Sequence, residues 1–430
     1  MTSEPTNPPR SPKASKAVWW KFFGPAFIIS IGYFDPGNWA TDLQAGSQYG
    51  YQLLWILSLS CLIGAFAQNL CAKLGLATGR NLAEHCRDNY PRWMSNTMFV
   101  SAVISMMATD LAEIIGVAVA LHLLFGIDLL AGALITAVDV FLILLLNRWG
   151  YRYIEMVFLI VLATVSGIYI AEMFMSNPNY EAVAIDSVVP GDLILHDFNA
   201  LFIAIGVIGA TIMPHNLYLH SSLVMQRLKD NLAPAKTLYR WSVIDTNISL
   251  FVAWFINAAI LIVAAAVFHP LFLESGEIVD SFQEAYKTLV PILSQGAGLI
   301  FAVALLCAGI ASSTSATLAG QIVFEGFLNI KHINLFHLRI WTRLATMAPA
   351  VIAIMMNAPP VTILVWSQVV LSLQLPFAMI PLMRITDSEK LMGADYKNKF
   401  WIKLVMWPAT ILILLLNIFL ILQCVGVVPS

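Results

Sequence analysis

Apolar residues in this chain come in long unbroken runs rather than in the alternating or three-to-four-residue stripes of water-soluble elements. A helix needs about 20 apolar residues to cross a hydrocarbon core roughly 30 Å thick. Runs of about that length occupy residues 21–47, 51–74, 93–124, 128–147, 153–175, 197–226, 241–268, 291–312, 338–356, 361–383 and 401–425. They fill almost the whole chain and leave no space for a soluble domain. The pattern predicts an all-α membrane protein with 11 transmembrane helices.

Composition agrees, with 59% hydrophobic and 11% charged residues, against about a quarter charged in soluble domains. Charge placement then sets the topology, because Lys and Arg are retained on the cytoplasmic side during insertion. The N-terminus carries Arg10, Lys13, Lys16 and Lys21, and the connections after the second, fourth, sixth, eighth and tenth runs carry every other basic residue except Lys287. The opposite connections hold Glu181, Asp186, Asp192 and Asp197, then Glu274, Glu277, Asp280 and Glu284. A multi-pass protein of the plasma (inner) membrane is expected, with its N-terminus cytoplasmic and its C-terminus extracytoplasmic. The basic residues are topogenic, so the net charge of −2 points to no nucleic acid. The lipid bilayer is the surrounding partner, and no obligate protein partner is called for. Residues 1–16, with prolines at 5, 8, 9 and 12, read as a disordered cytoplasmic tail rather than a cleaved signal.

Two runs are interrupted at membrane depth. The first contains Gly32-Tyr33-Phe34-Asp35-Pro36-Gly37-Asn38, and the sixth contains Gly206, Gly209, Ala210 and Thr211 before Met213-Pro214-His215-Asn216. Proline removes a backbone donor and crowds the preceding turn. A buried carboxylate is costly unless it faces a cavity or a partner. Paired breaks in corresponding helices are the mark of transporters built from inverted repeats, with the substrate at the midplane. A five-plus-five repeat follows: residues 17–175 (helices 1–5), 176–384 (helices 6–10), then 385–430 with helix 11.

The breaks carry metal-capable groups. Asp35 and Asn38 offer hard oxygens, the unwound backbone near Gly32 and Ala210 offers carbonyls, and Met213 offers a thioether sulfur. Oxygens alone suit Mg2+ or Ca2+, whereas sulfur favours Mn2+, Fe2+ and later metals. Met213 is the candidate selectivity residue, although most of the 17 methionines must be packing residues. The metal would be transported substrate, and no resident cofactor is expected.

Asp-Pro-Gly-Asn at 35–38 and Met-Pro-His-Asn at 213–216 resemble the signatures of the Nramp family of proton-coupled divalent metal-ion transporters of the manganese and iron type. Ala-Thr-Asp-Leu-Ala-Glu at 108–113 is similar to the family's third helix, and Ser367-Gln368 with Leu375-Pro376-Phe377 to its tenth. The stretch 311–328 resembles the connection after its eighth helix. The resemblance implies a LeuT-type fold with broken helices 1 and 6, and metal held by Asp35, Asn38, Met213 and the Ala210 carbonyl. Gln368 matches a glutamine that joins the metal shell in some states, and it reads equally as an interhelical hydrogen-bonding amide. Relatives that carry Mg2+ or Al3+ lack the methionine. The family commonly has two adjacent arginines in helix 9, whereas here Thr342 precedes Arg343.

No GxxxxGK[ST] loop occurs, so an ion gradient rather than ATP is the expected energy source. Asp110 and Glu113 are three apart and share a helix face, which suits them to carry a proton, with Arg343 as counter-charge. His215 and His220 are five apart and do not share a face; each is either a proton-path group or a packed, hydrogen-bonded ring. Glu84, Glu155 and Glu172 lie near span ends and are expected to be solvated or interfacial. There is no HExxH helix to suggest an enzyme. A sodium-coupled symporter of the same fold would leave Asp35 and Met213 unexplained, a Mg2+ transporter would leave the sulfur unexplained, and a passive metal channel would ignore a pH gradient.

Overall fold

The structure is a computed structural model that describes residues 32–136, 164, 166, 167, 169–229, 234–276, 282, 295–329 and 347–427. Among these residues every regular element is a helix. Seven helical stretches are long and apolar enough to cross a membrane: Leu54–Thr78, Arg92–Phe125, Phe198–Met225, Ala235–Ser275, Phe301–Leu328, Pro360–Asp387 and Phe400–Cys424. In chain order the helices are α1 (Pro36–Tyr49), α2 (Leu54–Thr78), α3 (Leu82–Asn89), α4 (Arg92–Phe125), α5 (Leu129–Thr136), α6 (Tyr180–Asp186), α7 (Phe198–Ile212), α8 (Pro214–Lys229), α9 (Ala235–Ser275), α10 (Gln295–Leu328), α11 (Pro360–Asp387), α12 (Glu389–Met392) and α13 (Phe400–Cys424). Parts of the first, fourth, fifth, eighth and ninth expected spans lie outside the described residues.

Packing is reciprocal between the halves. α1, which follows the first break, lies along α9, while α8, which follows the second, lies along α2. α4 and α10 pack on each other, and α11 closes over both α7 and α4. This exchange is what an inverted repeat requires, with each broken helix held by the other half. The interior contains the breaks. The outside of the bundle shows Leu62, Val100, Ile104, Phe251 and Val303, the face left for lipid. α13 is the most peripheral span and is held by polar bonds as well as packing: Ser372 donates to Asn417 Oδ1 at 3.1 Å, and Asn417 Nδ2 donates to the Ser372 carbonyl at 2.8 Å. Such interhelical amide bonds substitute for the hydrophobic drive that lipid removes.

Two expectations are corrected. Residues 311–328 are not a connection but the second half of the continuous helix α10. Their hydroxyls bond back within the helix, Ser312 to Gly309, Ser315 to Ser312 and Thr317 to Ser313, so a polar stretch stays helical. Glu172 is not solvated but 4% exposed. Glu84 has a structural role: it closes a capping box with Asn81 at the start of α3, a helix inside the expected connection between spans 2 and 3. There, hydrogen bonds from Arg87 hold the Asp88 carboxyl below the usual carboxylate range, helped by Arg80. Glu155 and Arg343 lie outside the described residues.

Candidate metal site

The chain leaves helical geometry at Tyr33 to Asp35 and resumes at Pro36. Asp35 is the N-cap of α1, with φ −66° and ψ 157°, and its Oδ1 accepts the Asn38 backbone N–H at 2.8 Å. Proline fits the first helical position, where its missing N–H leaves nothing unsatisfied. The Gly32 carbonyl, four residues before Pro36, instead accepts the Asp35 N–H at 3.3 Å. Asp35 Oδ2 meets the Gln368 amide at a long 3.4 Å. Asn38 is oriented by its neighbours: its Nδ2 donates to the Tyr33 carbonyl at 2.5 Å, which leaves Oδ1 buried without a hydrogen-bond partner. Asn257 of α9 donates to the same carbonyl at 3.2 Å and fixes the unwound turn from the other half.

The second break follows the same logic. α7 stops at Ile212, Met213 takes φ 46° and ψ 94°, and α8 starts at Pro214. A positive φ is strained for a non-glycine residue and persists only where the surroundings impose it. Pro214 removes the N–H that would have bonded the Ala210 carbonyl four residues earlier. Gly32 and Ala210 therefore occupy equivalent places, each with a proline four residues on. Met213 is 1% exposed, and its sulfur accepts Asn216 Nδ2 at 3.2 Å.

The two breaks face each other. A Cβ on Gly32 would stand 2.8 Å from Asn216 Nδ2, so a larger residue there would push that amide aside. Gln368 of α11 completes the ring: a Cβ on Gly37 would lie 1.7 Å from its Nε2, which also donates to Ser367 Oγ at 3.2 Å. Asn38 Oδ1, Asn216 Oδ1 and Gln368 Oε1 are all buried and without hydrogen-bond partners. Buried amide oxygens left unpaired are uncommon and costly. Asp35 Oδ2, the Met213 sulfur and the Ala210 carbonyl belong to the same two breaks, where Asp35 is the one carboxylate. No group of three or more His, Cys, Asp or Glu residues suited to a metal occurs among the described residues. A carboxylate-and-histidine cage of the enzyme kind is therefore not formed there.

Asn216 was not among the residues singled out from the sequence. Its signal was present: Asp-Pro-Gly-Asn and Met-Pro-His-Asn share one X-Pro-X-Asn spacing, so Asn216 stands to Met213 as Asn38 stands to Asp35.

α4 presses onto the first break. A Cβ on Gly116 would sit 2.1 Å from Pro36 Cγ. Glu113 is fully buried one turn earlier on that face, and Asp110 is half-buried a turn before it. Thr109 Oγ1 contacts His215 Nδ1 at 3.3 Å, which ties α4 to the second break as well. His220 turns elsewhere: its Nδ1 meets Gln68 Oε1 of α2 at 2.8 Å, and Gln68 Nε2 donates to Tyr33 OH at 3.2 Å. The two histidines thus serve different neighbours.

A family described as Natural resistance-associated macrophage protein-like, Nramp, matches residues 26–423. A divalent metal cation transporter MntH of Nostoc sp. is 43% identical over 438 residues, covering 97% of each chain. One from Mesorhizobium japonicum is 42% identical over 411 residues, covering 94% of this chain and 89% of its own. The crystal structure of the Eremococcus coleocola manganese transporter in complex with an aromatic bis-isothiourea substituted compound superposes with a TM-score of 0.84 at 34% identity, covering 99% of this chain and 91% of that one. The inward-facing Mhp1 structure, at 14% identity and a TM-score of 0.56, shares the fold.

Proposed function

The chain belongs to the Nramp family, and from that premise we propose that it imports divalent transition-metal ions, Mn2+ and Fe2+, across the plasma membrane together with protons. The observation that most supports this reading is the ring of unpaired buried oxygens around Asp35 at two facing breaks. Asp35 supplies the one carboxylate. Asn38, Gln368, Asn216 and the Ala210 carbonyl supply neutral oxygens, and Met213 supplies the sulfur. Gly32 lets the breaks meet. The metal is cargo and needs no resident cofactor. Inverted repeats 17–175 and 176–384 would rock around this point with the N-terminus cytoplasmic and the C-terminus outside. The proton would travel on α4, where Glu113 and Asp110 extend from the face that touches Pro36, with Arg343 as counter-charge and His215 and His220 as flanking relays.

The test uses the full chain in vesicles that report both metal and pH. Mn2+ entry should acidify the wild-type lumen. Glu113→Gln should keep Mn2+ binding while acidification falls by about tenfold or more, the lower end of what a lost proton-transfer group costs. Coupling as strong as wild type would remove Glu113 from the path, and Mn2+ uptake indifferent to pH would remove proton coupling altogether.

Met213→Ala should retain Mn2+ uptake through the remaining oxygens and lose discrimination. Cd2+ uptake should fall by about tenfold, because a soft ligand is lost, while Ca2+ and Mg2+ begin to compete through the water that fills the gap. Competition assays with the four metals decide it. An unchanged rank order with Ca2+ still excluded would make Met213 a packing residue.

A further inference from the structure

Asp42 lies seven residues beyond Asp35 on α1, two turns along the same face and away from the proposed cytoplasmic side. It is 1% exposed, and its Oδ2 has no hydrogen-bond partner. Tyr169 and Glu172 come from the helical residues 169–175 and share a face. The Tyr169 hydroxyl and Glu172 Oε2 are likewise buried and unbonded. Trp39 packs edge-on against the Tyr169 ring at 5.3 Å, and its Nε1–H also lacks an acceptor. Tyr169 lies within electrostatic reach of both Asp42 and Glu172, and Asp42 within reach of Asp35.

The unpaired groups are of matched kinds, two carboxylate acceptors and two donors, the phenol and the indole. An indole N–H only donates and cannot ligate a cation, which argues against a second metal site. The Trp39–Tyr169 contact joins the two elements, with Asp42 one turn beyond Trp39 on α1 and Glu172 one turn beyond Tyr169, so the phenol stands between the two carboxylates. A phenol beside both can accept one hydrogen bond and donate another. We propose that Asp42, Tyr169 and Glu172 form a second, outward-side protonatable site that takes a proton from external water and passes it toward the metal site. A hydronium ion gives its proton to a carboxylate oxygen of Glu172 or Asp42 and leaves as water. The Tyr169 hydroxyl accepts a proton on one side and releases its own on the other, so no net charge stays on the phenol.

The elements packed against α1 carry further ionisable groups. α9 brings His269, whose Nδ1 meets the Ser47 carbonyl at 3.1 Å, together with Glu274 beyond it and Lys236, Tyr239, Arg240 and Asp245 near its other end. α4 brings Arg92, Asp110, Glu113 and His122. α11 brings Arg384 and Asp387, α10 brings Cys307 and Glu325, and α7 carries no ionisable side chain.

The inference rests on the proton-coupled reading, and one vesicle experiment separates the two. Mn2+ binding is measured by calorimetry on the purified chain. Mn2+ uptake and lumenal acidification are measured at external pH from about 5.5 to about 7.5, which varies the external proton supply about 100-fold. The paired Asp42→Asn and Glu172→Gln variant and Tyr169→Phe should bind Mn2+ within about threefold of wild type, while the stimulation of uptake by external acid falls by about tenfold. Tyr169→Phe deletes one hydroxyl from a packed ring and carries the decision if the paired variant fails to insert. A wild-type pH profile in these variants, with Glu113→Gln still impaired, overturns the outward site and leaves proton coupling standing. Parallel loss of Mn2+ binding overturns it as well, because the residues then belong to the metal site or the scaffold. Wild-type uptake without acidification overturns both.

Discussion

Asp35→Ala should abolish Mn2+ uptake, with apparent metal affinity reduced by about 100-fold or more, the scale on which removing one partner strands a buried charge. Asp35 is 1% exposed and caps α1 through the Asn38 N–H. Its loss therefore removes both the proposed site's carboxylate and the bond that caps α1. Asp35→Asn separates the two effects: it can still cap α1 but brings no charge, so it should keep the fold and still fail to bind. The readouts are Mn2+ calorimetry and vesicle uptake, with monodispersity on size exclusion as the check on folding. Near-normal binding by a well-folded Asp35→Asn protein would move the metal away from the breaks.

Gly209→Val should damage transport from outside the proposed ligand set. A Cβ at Gly209 would stand 2.0 Å from the Gln368 carbonyl oxygen and 2.6 Å from the Ser372 backbone nitrogen. Both are main-chain atoms of α11 and cannot rotate aside. α7 and α11 meet backbone to backbone there, the close approach that small residues allow between membrane helices. Any larger side chain must part them and carry Gln368 away from Asp35. Overpacking of this kind costs about 1–3 kcal/mol, so a lowered melting temperature and a transport loss of about tenfold are expected together. Gly320→Ala is the control, because the nearest atom to a Cβ there is the flexible Met106 sulfur at 3.4 Å. Wild-type melting and transport by Gly209→Val would show that α7 and α11 do not need this contact.

The membrane-spanning helices were readable because lipid enforces one rule on every lipid-facing residue, and the ends of the third, tenth and eleventh spans lie within a few residues of α4, α11 and α13. The breaks were readable because Asp35-Pro36 and Met213-Pro214 set backbone chemistry against burial within four residues of sequence. Glu172 was misread because distance along a helix says nothing about what packs over its end. The extent of α10 was misread because serines and threonines that bond their own helix look, in sequence, like loop. Asn216 was passed over because its partner at Gly32 is 184 positions away in the sequence. The contact of Gly116 with Pro36, which puts Glu113 one turn from the first break, leaves only a glycine as its trace.

The most direct test of the account is anomalous scattering from crystals of the chain grown with Mn2+. The account predicts one strong peak between the breaks, ringed by Asp35, Asn38, the Ala210 carbonyl and Met213, and absent from Asp35→Asn crystals. A peak elsewhere in the bundle, or one that survives in Asp35→Asn, would contradict it.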